Sequence, residues 1–189
     1  MKTFITGVLL ILTACSSKQK SSEKYFDFDG LINSQISQLS QRMRVLDKRA
    51  ELKGIQSDTT FVPDTKGWEA ELDLFRRLEA LNKPIHQKTY QVEGPLDDPK
   101  SNLKIIQYKA PSSSLPFIKI YYLTELNRVR KIEGMVSESN ILYAGSQWMT
   151  MEFEEEEGRP ILIRYGVRGF QKLVMRDSVN FSVQGQINW

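Results

Sequence analysis

From Ile32 the apolar positions Ile32, Ile36, Leu39, Met43 and Leu46 recur at intervals of four, three, four and three, with polar residues between them. Residues three and four apart share a helical face, so the spacing predicts one helix with a single apolar stripe. Asp29, just ahead of the stripe, can cap it by accepting from the free N–H groups of the first turn. The period then changes. Leu46–Leu52 and Ile55–Val62 flank Lys53-Gly54, where glycine supplies the positive φ of a two-residue hairpin turn, and Pro63 closes the hairpin. A second stripe, Trp68, Leu72, Phe75, Leu78 and Leu81, has Glu69, Glu71, Arg76 and Arg77 for its wet side. Asp64 or Thr65 can start that helix, and Asn82-Lys83-Pro84 stops it because proline cannot continue a helix.

After Pro84 the pattern is that of strands: Gln87–Glu93, Leu103–Ala110, Phe117–Thr124, Arg128–Val136, Gln147–Phe153, Pro160–Val167, Gln171–Met175 and Val179–Ile187. The connections are too short for crossover helices, so neighbouring strands should be antiparallel. Ile118 to Leu123 carries apolar groups on both faces, as an interior strand under a helix would. Phe181, Val183, Ile187 and Trp189 share one face, as in a last strand half exposed to water. No repeat of solenoid length occurs. The expected fold class is α+β: an N-terminal helix, a small β-hairpin, a second helix, then a mostly antiparallel multi-stranded sheet that could curve.

Ahead of these elements lie a basic start, Met1-Lys2, an apolar run from Phe4 to Leu12, and Leu12-Thr13-Ala14-Cys15. That order is a secretion signal, and the run is about half the ~20 residues a membrane-spanning helix needs. The last four residues resemble a lipobox, the cleavage and lipidation motif of bacterial lipoproteins, which implies a diacylglycerol on the Cys15 sulfur and an acyl group on its amine. Cys15 is the single cysteine of the chain, so no internal disulfide competes for it. Ser16 to Ser22 is polar throughout and serves as a tether. An acidic residue directly after the cysteine would resemble the retention or surface-export signals of some lipoproteins; none occurs before Glu23, so the resemblance implies the periplasmic face of the outer membrane. The expected organisation is a cleaved signal at 1–14, lipidated Cys15 and tether at 15–27, and one domain at 28–189.

Of the 189 residues, 40% are hydrophobic and 26% charged, the composition of an ordinary globular domain. A formal charge of +3 without a clustered basic stripe argues against nucleic acid as a partner. The expected partners are the membrane, through the lipid on Cys15, and an envelope protein or an apolar ligand.

Candidate chemistry is sparse. His86 is the only histidine, placed at the start of a strand and outside any nucleophile motif. A zinc site normally wants several Cys or His ligands. Glu152 and Glu154–Glu157 have calcium-binding oxygens but lack the alternating, glycine-bearing loop that shapes such a site, and a hydrated hairpin tip fits them better. Asp97 and Asp98, between two prolines, fit a turn. No phosphate-binding glycine motif occurs, and Gly166 and Gly169 near Arg168 suggest a loose loop. No cofactor or metal is expected. Trp148 alternates out of step with Met149, Met151 and Phe153, so both faces of this strand are partly apolar. These four residues could line an apolar ligand groove, or a helix and a second layer could cover the two faces.

Several further motifs, Leu52-x-Gly54, Trp68-x-x-Glu71-Leu72-x-Leu74-Phe75, Asn82-Lys83-Pro84, Gly169-x-Gln171-Lys172 and Phe181-x-Val183-x-Gly185-x-Ile187, are similar to a group of uncharacterised lipoproteins of the Bacteroidetes kind. The resemblance implies an anchored envelope domain and no particular activity. The expected role is a non-catalytic binding or assembly module at the outer membrane. The alternatives are a carrier that shields a lipid in a curved sheet and a carboxylate-based hydrolase. A small membrane barrel fits less well, given two amphipathic helices and charged strand residues such as Lys119, Arg128, Arg130, Lys131 and Arg164.

Overall fold

A computed structural model describes residues 25–86 and 88–188. The signal, Cys15 and the tether up to residue 24 lie outside the described residues, as does Trp189.

Helix α1 spans Phe28–Gln41, and Asp27 caps it by accepting from Gly30 N at 3.1 Å. Asp29, the expected cap, stands in the first turn and pairs with Arg76. The stripe ends sooner than its spacing suggests. Met43 takes φ +47° in the turn that leaves the helix and is 74% exposed, whereas Leu46 already belongs to strand β1 (Val45–Leu52) and is fully buried. A strand residue thus fills the core position that one more helical turn would have supplied.

Strand β2 (Ile55–Phe61) returns along β1 through Lys53 and Gly54, both at positive φ, as a turn matched to strand twist requires. Asp64 accepts from Gly67 N at 2.7 Å and starts α2 (Thr65–Leu72). The second stripe then tightens into a 3-10 helix over Asp73–Asn82. Trp68, Leu72, Phe75, Leu78 and Leu81 are all buried. Pro84–His86 adds a short 3-10 turn where a strand was expected, so His86 lies off the sheet.

The remaining strands are β3 (Gln91–Asp97), β4 (Lys104–Lys109), β5 (Phe117–Tyr122), β6 (Val129–Ser139), β7 (Tyr143–Glu156), β8 (Arg159–Leu173) and β9 (Val179–Asn188). With the hairpin they form one open antiparallel sheet in the order β2-β1-β9-β8-β7-β6-β5-β4-β3. Pro160–Val167 and Gln171–Met175, expected as separate strands around a loop, fall on one strand that stops at Leu173, with Val174 and Met175 in the turn beyond it. Gly166 and Gly169 are points of close approach inside it: a Cβ at Gly169 would run into the β7 backbone at Ser146 and Gln147.

Both helical segments lie on one face of the sheet. The core there joins Phe28, Ile32 and Leu39 of α1 to Ile118, Ile120, Ile132, Met149, Met151, Leu162 and Tyr165 of the strands. Gly134 makes room for the 3-10 helix, because a Cβ there would sit 2.7 Å from Leu78. Gln35, 0% exposed, stitches α1 to β8 by donating to Pro160 O at 2.9 Å and accepting from Leu162 N at 2.7 Å. Glu71 accepts from Lys48 Nζ at 2.6 Å and from the Tyr165 hydroxyl at 2.6 Å, tying α2 to two strands.

Candidate functional site

Side chains alternate across a strand, so the registers fix what the second face of the sheet presents. No described element covers that face. Three transverse rows cross it. Phe117, Met135, Trp148, Arg168 and Ser182 are successive partners in the first. Lys119, Glu133, Thr150, Gly166 and Gln184 make the second, and Tyr121, Lys131, Glu152, Arg164 and Gln186 the third.

The first row is aromatic and cationic. The Phe117 and Trp148 rings lie 5.0 Å apart at 59°, and the Arg168 guanidinium carbon stands 5.7 Å from the Trp148 ring centroid. This stack spans β5 to β8 and holds the indole in place, because each neighbour restricts its rotation. In the second row Gly166 has no side chain, and the surface dips between Trp148 and Arg168 on one side and Arg164 on the other. The dip is a groove of about 370 Å³ with Thr150 and Gly166 in its floor and Glu133 and Gln184 at its ends.

Polar groups on this face are pre-set. Tyr121 donates to Glu133 at 3.0 Å, and Lys131 pairs with the same carboxylate at 2.8 Å. Burial, reinforced by the bond to Glu133, raises the Tyr121 hydroxyl far above the ordinary tyrosine range, so it stays a donor. Arg164 bridges Glu152 at 2.9 Å and Gln186 at 2.8 Å. The result is a shallow groove with an aromatic wall and charged edges at Glu133, Arg164 and Arg168, suited to a flat or extended partner.

Of the four residues expected to face an apolar ligand, Trp148 alone reaches this groove. Met149, Met151 and Phe153 point to the other side and are packed under the helices, so the layered reading describes them. Phe117, Met135 and Arg168 were not singled out in the sequence; they become neighbours of Trp148 only through pairings among four strands.

His86 stands edge-on to Tyr90 at 6.3 Å. The glutamates around the β7–β8 turn are not a bare hydrated tip: Glu155 accepts from Arg128 and Arg130, Glu156 from Arg42 and Arg44, and Glu152 from Arg164. Asp97 pairs with Lys104, and Asp98 accepts from Ser101 Oγ at 2.6 Å to hold the turn. Among the described residues no group of three or more His, Cys, Asp or Glu could hold a metal ion, and no helix is long and apolar enough to cross a membrane.

A larger groove, about 610 Å³, lies between the 3-10 helix and the Ser114–Leu115 loop. Its walls are bound to one another through Arg76–Asp29 and Arg77–Glu138. No known family model, curated protein or solved structure matches the chain.

Proposed function

We propose that this chain is an envelope lipoprotein, acylated at Cys15 and held at the periplasmic face of the outer membrane, whose uncovered sheet face binds another envelope protein without catalysis. The observation that carries the binding role is the Phe117–Met135–Trp148–Arg168 row, an aromatic and cationic strip on a face that no described element covers. Tryptophan and arginine on a rigid support are the side chains that most often anchor protein contacts. The sheet favours binding over lipid carriage because Met149, Met151 and Phe153 fill the core, and the groove beside Trp148 is edged by charged groups.

Two measurements test the proposal. Labelled palmitate should enter the wild-type protein in its host and fail to enter Cys15→Ser. Crosslinking on intact envelopes should join the wild-type protein to a stoichiometric partner, and Trp148→Ala combined with Arg168→Glu should abolish that product while leaving the circular dichroism spectrum unchanged. A product that survives both substitutions would rule out the open face as the binding surface.

A further inference from the structure

We propose that one end of the sheet is a bilayer-docking surface that settles into the headgroup region of the leaflet holding Cys15. Four connections leave the sheet at this end: the serine-bearing one of β4–β5, and the hairpin tips of β1–β2, β8–β9 and β6–β7, which follow one another in the strand order. The hairpin tips are bonded into one rim: Lys53 N donates to Asn180 O at 3.2 Å, and Val174 N donates to Leu142 O at 3.0 Å.

Each tip exposes apolar groups. Leu52 and Ile55 flank the first turn. Met175, fully exposed, stands beside Val174 in the second, and in the third Ile141 is 92% exposed next to Leu142. Single exposed apolar residues are ordinary, but a contiguous set on neighbouring turns is an interaction surface. Lys53, Lys172 and Arg176 border it, with Glu51 and Asp177 as acidic neighbours, whereas at the opposite end of the sheet the run Glu154–Glu157 is engaged by Arg42, Arg44, Arg128 and Arg130. Apolar tips bordered by cations complement the acyl boundary and the anionic headgroups of a leaflet.

The chain also enters the fold on this half of the molecule. Tyr25 N donates to Asn82, at the end of the 3-10 helix whose Arg77 pairs with Glu138 near the β6–β7 tip, and the Tyr25 ring stands against Tyr108. The choice of a bilayer as occupant rests on acylation at Cys15. The nine residues Ser16–Lys24 span at most about 30 Å when extended, which keeps the fold close to the leaflet.

The test uses the acylated chain in vesicles of phosphatidylethanolamine with phosphatidylglycerol, carrying an environment-sensitive fluorophore at Leu142→Cys, at Met175→Cys or, as the far-end control, at Glu157→Cys. Brominated acyl chains should quench both tip labels severalfold more than the control. In a chain beginning at Ser16, which keeps every described contact, Leu142→Asp with Met175→Asp should weaken co-sedimentation with the same vesicles about tenfold or more. Tip labels that stay unquenched on a protein shown to incorporate palmitate would overturn the docking and leave the anchor intact. Docking by the chain from Ser16 in a host where the full chain takes up no palmitate would uphold the docking and remove the anchor. Tip labels that respond to protein concentration without vesicles would mark a self-contact and overturn it.

Discussion

Gln35 shows how much one buried amide can hold. Its carboxamide completes the hydrogen bonds of β8 at Pro160 and Leu162 from a position inside the apolar stripe of α1. Gln35→Leu keeps the volume but leaves the Leu162 N–H and the Pro160 carbonyl unmatched, and should cost about 1–3 kcal/mol in urea unfolding. Nothing in the period of Ile32, Ile36 and Leu39 marks this residue, because its role depends on a strand more than a hundred positions away. Tyr108 makes a different prediction. Burial pushes its hydroxyl up from 10.0 to about 12, so as the pH rises through this window the unfolded chain ionises first. The folded state therefore holds the extra proton, and stability that is whole below pH 10 should drain away between 10 and about 12. Denaturant titrations across that window should show a shallower loss for Tyr108→Phe.

At the level of elements, the helices depend on carboxylates that come from outside them. Glu79, on the 3-10 helix, accepts from the N–H groups of Phe28 at 3.0 Å and Asp29 at 3.2 Å, closing the start of α1 together with Asp27. Glu79→Ala should cost about 1–2 kcal/mol and speed hydrogen exchange at those two amides, with Glu79→Gln losing less because it retains an acceptor. The helix–hairpin–helix order was legible because each piece carries its own period or turn chemistry. The tightening of the second helix was not expected, although its signal is present: Leu72, Phe75, Leu78 and Leu81 recur every three residues, the repeat of a 3-10 helix, after a first interval of four from Trp68. The length of β8 was not legible, since its glycines resemble loop formers until the β7 backbone is beside them. Gly169→Ala should overpack that contact and lower stability by about 1–3 kcal/mol in thermal or urea unfolding.

Across the whole molecule, antiparallel pairing follows from short connections, but the position of the N-terminal hairpin does not. Period and turn residues are local signals, whereas the partner of β1 is chosen by which exposed strand edge remains when the sheet assembles. The groove beside Trp148 escaped sequence reading for the same reason, since it exists only where β6, β7, β8 and β9 lie side by side. That choice of partner has a kinetic consequence. Asn188 bonds to Asp47 across 141 positions, and β9 is the wedge that joins the early hairpin to everything else. The full chain should melt in one cooperative transition, and a chain ending after Asp177 should lose that cooperativity, with the hairpin detached. During synthesis the early half must wait for the last strand to emerge before the sheet can lock, a delay set by chain length because distant ends meet slowly.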